Sequence, residues 1–465
     1  MKKNDFFELQ VTSTTLKGYG VAHIDGYAVF VKNACKGDKV NAKIIKVTKS
    51  YAVAIIDTVL QPSADRTADD CPISGKCGSC TFGHVSYQAE CALKEAHIND
   101  AFSHISGLDL KISAFHGTSR YGYRNKAVYP VSTSKDGGII SGFYAEKSHR
   151  IVEHDFCAIS NGNFAKIRSD TVGFAEENGI SAYDEAESSG ILRGIYLRSA
   201  KDGSIILTLV VNGKIFGSEQ IEKRFCEYIL SKHPYICSIL VNINQKKTNV
   251  VLGEKWRVLY GDGYLYDVLC GKKFRISPAS FYQVNRGGAE ILYGIAKKYA
   301  GLSGGEKLLD LYCGTGTVGI CIAEKDTRLF GVDIVQSAVD DASFNASQNG
   351  INARFFRIDA QKSLDDGRLA DIFPDVITID PPRKGCGIES ARKIASFGAK
   401  RIVYISCDPA TLARDLAEFE KCGYVSVCAE AVDMFPRTGH VETVALLSRR
   451  KDEPKIQVAM TCKSD

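Results

Sequence analysis

Three groups of residues in this 465-residue chain have types and spacings suited to chemistry. The first centres on Cys407, in Arg401-Ile-Val-Tyr-Ile-Ser-Cys407-Asp-Pro-Ala-Thr-Leu-Ala-Arg-Asp415. The apolar run Ile402 to Ile405 predicts a buried strand, and Asp408-Pro409 predicts an N-cap and first helical residue directly behind it. Cys407 then stands at the carboxyl end of a strand, where open α/β sheets bind ligands. It also precedes a helix N-terminus, whose dipole favours a thiolate. A buried structural cysteine is the competing reading, and this stretch alone leaves both open. The second group is Cys71-Pro-Ile-Ser-Gly-Lys-Cys77-Gly-Ser-Cys80, spaced C-x5-C-x2-C in a glycine-bearing loop. Thiolates at that spacing suit an iron–sulfur cluster or zinc, and either needs a fourth ligand. Cys91 is near but falls in a helical pattern, and periodicity does not settle the choice. The third group is Gly314-Thr-Gly316-Thr-Val-Gly319, which follows an apolar run ending at Tyr312, with Asp333 closing the next such run. A glycine turn feeding a helix, with an acid on the next strand, can hold an adenosine ribose. That ribose occurs in NAD and in S-adenosylmethionine alike, and a purely structural turn is the bland alternative.

Separation comes from Asp371-Ile-Phe-Pro-Asp-Val-Ile-Thr-Ile-Asp380-Pro-Pro-Arg-Lys-Gly385, a predicted strand whose two prolines fix a rigid turn. It is similar to the strand-four signature of S-adenosylmethionine methyltransferases, where the acid faces cofactor and target base. Such a motif often serves an exocyclic amine, which has a lone pair to accept a methyl group. Here a cysteine follows on the next strand, and that changes the chemistry. Carbon 5 of uracil is a poor nucleophile until a thiolate adds to carbon 6. After methyl transfer a base must remove the carbon 5 proton before the thiol is eliminated. Glu442, in His440-Val-Glu442-Thr-Val-Ala-Leu-Leu, interrupts an apolar run and is the candidate base. The alternative is an edge-strand glutamate facing water.

These residues need a scaffold, and the chain is long enough for two to four domains with sizeable cores. Composition is ordinary for a globular protein, 45% hydrophobic and 24% charged, and a net charge of +5 diagnoses no partner by itself. Residues 1–60 carry nine lysines against five acids, as a local basic face requires. The opening MKKNDFFELQ lacks the apolar segment of a secretory signal, and no apolar run reaches the ~18 residues of a membrane span. The expected location is the cytoplasm, without membrane contact, and with sixteen cysteines mostly reduced. Turn signals at Gly18-Tyr-Gly20, Asp25-Gly26 and Lys36-Gly-Asp38 separate short β-rich runs, predicting an OB-like β-barrel over residues 1–60. Its lysines interleave with Tyr19, Tyr27, Phe30 and Tyr51, as an RNA surface or a plain β-module would allow. Residues 61–272 read as a β-rich central domain that begins with a polar linker at 61–70. Within it, residues 84–105 predict an amphipathic helix with Leu93, Ala96, Ile98, Ala101, Phe102 and Ile105 on its apolar side, and His97 and His104 at the surface. Tyr121-Gly-Tyr-Arg124-Asn-Lys126, residues 142–150, Arg193 and Arg198 mix aromatics with cations. That mixture suits base stacking and phosphate contact, or simply exposed strand faces. Over 273–450 strands and helices alternate as in a doubly wound α/β domain. Residues 451–465 read as a flexible tail.

The assembled motifs resemble the RNA uracil-5-methyltransferase family, specifically its iron–sulfur, TRAM-bearing 23S ribosomal RNA branch. Gly18-Tyr-Gly-Val-Ala-His, Asp25-Gly-Tyr-Ala-Val-Phe-Val and Gly37-Asp-Lys-Val are similar to the TRAM domain. Ile276-Ser-Pro-Ala-Ser-Phe-Tyr-Gln283-Val-Asn285 and Leu311-Tyr312-Cys-Gly-Thr-Gly join the Asp380, Cys407 and Glu442 motifs, so the resemblance spans residues 5–450. It implies a Rossmann-like methyltransferase domain with Cys407 as nucleophile and Glu442 as proton acceptor. It further implies that Gln283, Tyr312, Gly314, Asp333 and Asp380 contact S-adenosylmethionine, and that Cys71, Cys77, Cys80 and Cys157 hold a [4Fe–4S] cluster. The reaction is polar and needs no electron, so the cluster reads as a brace and part of the RNA surface. The helical segment 83–112 is expected to pack on the catalytic domain. The implied partner is RNA, 23S ribosomal RNA first and transfer RNA as the alternative, with the chain a monomer needing no protein partner. Asp333 stands where glutamate is commoner, Asp408 where asparagine usually follows the nucleophile, and Thr81-Phe82 where Gln-Leu is usual. The Asp408 carboxylate would cap its helix but oppose a thiolate. Rival readings are a radical methylthiotransferase, an RNA-binding assembly factor without catalysis, and an NAD-dependent oxidoreductase.

Overall fold

The structure, a computed structural model, describes residues 1–248, 250–360, 366–369 and 371–450; the tail read at 451–465 lies outside these. Six strands open the chain: β1 (Phe6–Gln10), β2 (Ser13–Thr14), β3 (Tyr19–Ile24), β4 (Tyr27–Lys32), β5 (Lys39–Val47) and β6 (Tyr51–Gln61). They form one sheet in the order β1-β5-β6-β4-β3-β2. The Thr12 amide donates to the Val21 carbonyl at 2.8 Å, so the chain leaving β1 pairs with β3 and the sheet closes on itself. Period-two alternation sends Val29, Val31, Val40, Ala42, Ile44, Ala52 and Ala54 inward. Asp25 and Gly26, both at positive φ (49° and 80°), make the two-residue turn that the twist of β3 and β4 favours.

Helix α1 (Tyr87–Ala101) is capped by the Ser86 hydroxyl, which accepts from the Ala89 amide. It continues as a π-helical turn over 102–106, ended by Gly107 at φ 64°. The expected apolar face is only partly realised. Ile98, Ala101 and Phe102 are buried, whereas Ala96 faces solvent and Ile105 is 53% exposed. The wider π turn shifts the phase at 105. The buried face also takes in Glu90 and Lys94, which apolar spacing cannot foresee. The Lys94 ammonium donates to Glu90 Oε1 at 2.7 Å and to Asp433 Oδ1 at 2.8 Å, with all three side chains fully buried. Next comes β7 (Ile112–His116).

The central sheet contains β8 (Lys126–Thr133), β9 (Ile139–Ser141), β12 (Leu192–Ser199), β13 (Ile205–Val211), β14 (Ile236–Ile243) and β15 (Lys255–Tyr260), in the order β15-β14-β13-β12-β8-β9. Its core receives Phe164, Ile167 and Phe174 from α2 (Asn163–Glu177), and Phe225 and Ile229 from α3 (Glu219–Lys232). A short hairpin, β10 (Phe143–Tyr144) with β11 (Ile151–Val152), lies beside the cysteine loop, where Cys77 and Ala145 form a bridge. A second hairpin, β16 (Leu265–Leu269) with β17 (Lys272–Ile276), leads to α4 (Arg286–Ala300).

The remaining strands are β18 (Lys307–Leu311), β19 (Arg328–Asp333), β20 (Ala353–Arg357), β21 (Val376–Ile379), β22 (Arg401–Ser406), β23 (Tyr424–Val432) and β24 (Glu442–Arg449). They alternate with α5 (Thr317–Ile322), α6 (Gln336–Gln348), α7 (Ile388–Ser396) and α8 (Pro409–Lys421). The sheet order is β20-β19-β18-β21-β22-β24-β23-β7. The predicted doubly wound fold is present, but the sheet is mixed. Strand β24 runs antiparallel to β22, and β7, from far upstream, pairs in parallel with β23. Ile98, Phe102 and Ile112 share one core with Leu309, Ile379 and Tyr404 of this sheet. Lys94 fixes the arrangement electrostatically. Lys94→Met should cost about 3–5 kcal/mol, because buried Asp433 loses its cation and buried Glu90 keeps only Arg120, 3.7 Å away. Urea denaturation measures this, and a loss under about 1 kcal/mol would show that the ion triad is not structural.

Candidate active site

Strand pairing gathers the candidate side chains at the carboxyl edge of the parallel strands. In the β22–β24 pair, Ser406 lies opposite Thr443, so one step further Cys407 comes out opposite Glu442. In β21, Ile379 pairs with Leu311 on one side and with Tyr404 on the other, which brings Asp380 out beside Tyr312. Asp333 ends β19 in the same layer, since Leu311 pairs with Val332. The antiparallel turn of β24 therefore matters: a parallel strand in its place would have put its first residue at the opposite edge.

The glycine turn is built on left-handed backbone at Gly314 (φ 54°) and Gly316 (φ 79°). Gly319 serves a different need, because a Cβ there would lie 2.8 Å from Asp310 Oδ2. Asp310 lies under the turn. Its Oδ2 accepts from the Gly319 amide at 2.9 Å and its Oδ1 from the Thr378 hydroxyl at 2.7 Å, while burial raises its pKa to about 6. Sequence reading passed over Asp310, although an acid inside an apolar strand run was the available signal. Asp333 Oδ2 accepts from the Gly314 amide at 3.0 Å and Oδ1 from Val335 at 2.9 Å, so it shapes the turn and keeps lone pairs for a ribose. Tyr312 itself adopts φ 62°, and its hydroxyl and that of Thr315 are buried without a partner. Orphaned hydroxyls beside an adenosine-type turn fit a polar ligand such as S-adenosylmethionine. Gln283 is buried in the loop between β17 and α4. Its carbonyl accepts from the Asn125 side chain at 2.9 Å and the Val284 carbonyl from the Asn125 amide at 2.8 Å. Asn345 ties β17, which leads into that loop, to the turn by donating to the carbonyls of Arg275 (3.2 Å) and Thr315 (3.1 Å).

The electrostatics add groups that local reading of Cys407 does not include. The α8 dipole was expected to favour a Cys407 thiolate, yet burial, then Glu442 and Asp380, push the thiol up to about 12, opposed by Arg383. Desolvation and two acids both disfavour the thiolate. Asp408 Oδ1 caps α8 by accepting from the Thr411 amide at 2.9 Å. Burial and Asp380 hold Glu442 well above the usual carboxylate range, and burial and Asp310 raise Asp380 to about 7. Arg383, which no spacing singled out, is the cation opposing the shifts of both Cys407 and Glu442, and its Nη2 lies 3.3 Å from His440 Nε2. Its loop is fixed by buried Asp415, whose Oδ2 accepts from the Tyr404 hydroxyl (2.7 Å) and the Cys386 amide (2.9 Å).

Cys71, Cys77, Cys80 and Cys157 are thiols within electrostatic reach of one another. Burial, then Cys157 and Cys77 among other groups, raise Cys80 to about 12 and shift Cys71 upward. Four thiols suit an iron–sulfur cluster in donor chemistry. Among the described residues, however, no three His, Cys, Asp or Glu side chains are gathered closely enough to hold a metal ion. The loop is locked to the segment before Glu442, where the Arg437 carbonyl accepts from the Thr81 (2.7 Å) and Phe82 (3.0 Å) amides. The buried Arg437 guanidinium reaches back to Asp70. A cavity of about 710 Å³ lies elsewhere, between Gly78, Ser79, Tyr144, Arg193 and Val251, and no candidate catalytic side chain lines it. Among the described residues no helix is long and apolar enough to cross a membrane.

The sequence profile of the family described as tRNA (uracil-5-)-methyltransferase matches residues 254–450, and that of the TRAM domain matches residues 3–56. An RNA methyltransferase of Halalkalibacterium halodurans is 39% identical, over 96% of this chain and 98% of that protein. One from Clostridium acetobutylicum is 39% identical, over 97% and 98%. In fold the chain is similar to the tRNA (uracil-54, C5)-methyltransferase of Pyrococcus abyssi, solved with S-adenosyl-L-homocysteine. The TM-score is 0.75 at 24% identity, covering 95% of this chain and 100% of that one.

The Cys407 environment sets a pH dependence. With the thiol at about 12, the thiolate fraction of the free protein rises with pH throughout the neutral and mildly alkaline range. Iodoacetamide labelling of Cys407, read by mass spectrometry, should accelerate about tenfold per pH unit from 8 to 10, and should slow in Arg383→Met. A plateau below pH 9 would contradict this environment.

Proposed function

This chain belongs to the S-adenosylmethionine-dependent RNA uracil-5-methyltransferases, and we propose that it methylates carbon 5 of a uridine through a covalent adduct on Cys407. The observation that carries the mechanism is the opposition of Cys407 and Glu442 across the β22–β24 pair, one strand from Asp380. S-adenosylmethionine supplies the electrophilic methyl group. Gln283, Tyr312, Gly314, Asp333 and Asp380 are the residues that would hold it. Cys407 gives its proton to solvent and bonds to carbon 6, making carbon 5 electron-rich, and the methyl donor would leave as the neutral thioether S-adenosyl-L-homocysteine. Once carbon 5 carries the methyl group, Glu442 takes the carbon 5 proton, the pair of electrons reforms the ring double bond, and the sulfur leaves.

The raised proton affinity of Glu442 suits this role, since a base held above the usual carboxylate range is a stronger acceptor once ionised. Keeping such an acid at 5% exposure is costly for the fold and characteristic of function. Cys71, Cys77, Cys80 and Cys157 would hold a [4Fe–4S] cluster, bracing the loop before Glu442 through Arg437. The barrel of residues 1–60 and the central region 61–272 would present RNA to the domain at 273–450. The resemblance to the iron–sulfur, TRAM-bearing branch favours 23S ribosomal RNA in the cytoplasm. Transfer RNA is the second reading, favoured by the description of the matching family and by the substrate of the Pyrococcus abyssi enzyme.

RNA containing 5-fluorouracil tests the mechanism, because fluorine on carbon 5 cannot be removed as a proton. Incubation with S-adenosylmethionine should trap a protein–RNA adduct at Cys407, form it poorly without the cofactor, and abolish it in Cys407→Ala. An adduct on another residue, or methylation retained in Cys407→Ala, would overturn the assignment.

A further inference from the structure

Three cations converge where the central sheet meets the Gln283 loop. Lys126 on β8 and Arg198 on β12 are direct cross-strand partners, a placement in which like charges repel. Both sit over the Tyr196 ring, at 5.3 and 5.8 Å. Arg124 lies two residues before Lys126, and its backbone bridges to Asn285, two residues past Gln283. Arg198 is 1% exposed and donates to the carbonyls of Ser277 (3.4 Å) and Ser280 (2.9 Å) in the same loop. The buried Nε atoms of Arg198 and Arg124 have no partner. Among the described residues none of the three forms an ion pair, and burial, Arg198 and Arg124 are what lower Lys126 to about 8. Arg124 and Lys126 line a cavity of about 220 Å³ shared with Ser79, Cys157, Ser160 and Val284. The cluster also reaches the catalytic edge. His440 is held below its usual pKa by burial, then by Arg383, Lys94 and Arg124.

Uncompensated, partly desolvated cations cost a fold stability unless an anion completes them. Within the described residues no carboxylate does so. We propose that Arg124 and Lys126, backed by Arg198, form a phosphate site that grips the RNA backbone beside the nucleotide delivered to Cys407. This deepens the RNA methyltransferase reading and rests on it for the identity of the ligand. A phosphate held there fixes register without reading sequence. It would set the distance between the bound strand and the loop that carries Gln283.

The test uses the full-length protein, fluorescein-labelled decauridylate and a salt series, with thermal unfolding followed in parallel. Lys126→Met should weaken binding about 3- to 10-fold at moderate salt and reduce the slope of log affinity against log salt by about 0.7, one lost phosphate contact. Its unfolding temperature should hold or rise, because a like-charge pair has been relieved. Lys126→Arg should keep both affinity and slope. Inorganic phosphate should stabilise the wild type and compete with the RNA. An unchanged slope in Lys126→Met overturns the proposal. So does phosphate that stabilises without competing, which marks a free-anion site. A lowered unfolding temperature with lost visible absorbance and an unchanged slope also overturns it, reassigning the charge to the cysteine loop. Should the wild type methylate no RNA while the slope difference persists, the methyltransferase reading fails and the phosphate site stands.

Discussion

One buried ammonium group holds the architecture to its chemistry. Lys94 lies between Glu90 of its own helix and Asp433, at the start of the loop that ends in Glu442. Without water, two carboxylates and a cation are tolerable only when paired and geometrically fixed. That requirement docks a helix from the N-terminal half onto the catalytic sheet. The loop it anchors is then gripped from several sides. The Arg437 amide donates to Glu90 Oε1 at 2.7 Å, the Tyr123 hydroxyl to the Pro436 carbonyl at 3.0 Å, and the Asn285 side chain to the Met434 carbonyl at 3.1 Å. The barrel closes against it too, since a Cβ on Gly439 would lie 1.9 Å from the Leu16 carbonyl oxygen. Barrel, cysteine loop, helix and Gln283 loop thus meet on one segment, and its next residues enter β24 with Glu442.

The edge this positions is electrostatically unfavourable in the free protein. Cys407, Glu442 and Asp380 are all pushed toward their neutral forms, by burial first and by neighbouring acids second: Glu442 and Asp380 for Cys407, Asp380 for Glu442, and Asp310 for Asp380. Arg383 offsets part of that for Cys407 and Glu442. A site so arranged is not poised by its own helix dipole. In the proposed mechanism, a change in the charge around Cys407 would therefore favour its thiolate. The proposed phosphate site has the same logic with opposite sign, since like charges are kept together until a partner arrives.

Much of this was legible in the sequence because it follows from local rules. The apolar run before Cys407, Asp408 as cap with Pro409 behind it, and the glycines of the adenosine turn each dictate backbone over a few residues, and the structure agrees. The Asp25-Gly26 turn and the alternating strands of the barrel belong to the same class. What local rules could not give was long-range. Nothing near Lys94 announces a partner at Asp433, and nothing near residue 112 announces a strand added to a sheet built from 307 onward. The π turn at 102–106 defeated the helical phase at Ile105. The charge around Cys407 is long-range for the same reason: the helix dipole is local, whereas Glu442 and Asp380 arrive from other strands. Arg383 and Asp310 were within familiar motifs, but only the folded chain shows which groups they face.

The claim at the centre is that Cys407 carries the ring while Glu442 removes the proton. Glu442→Gln, given ordinary uridine RNA and S-adenosylmethionine, isolates that division of labour. The account predicts that methylated RNA accumulates covalently attached to Cys407, detected as an intact adduct by mass spectrometry. Free methylated RNA released at the wild-type rate, with no attached intermediate, would contradict it.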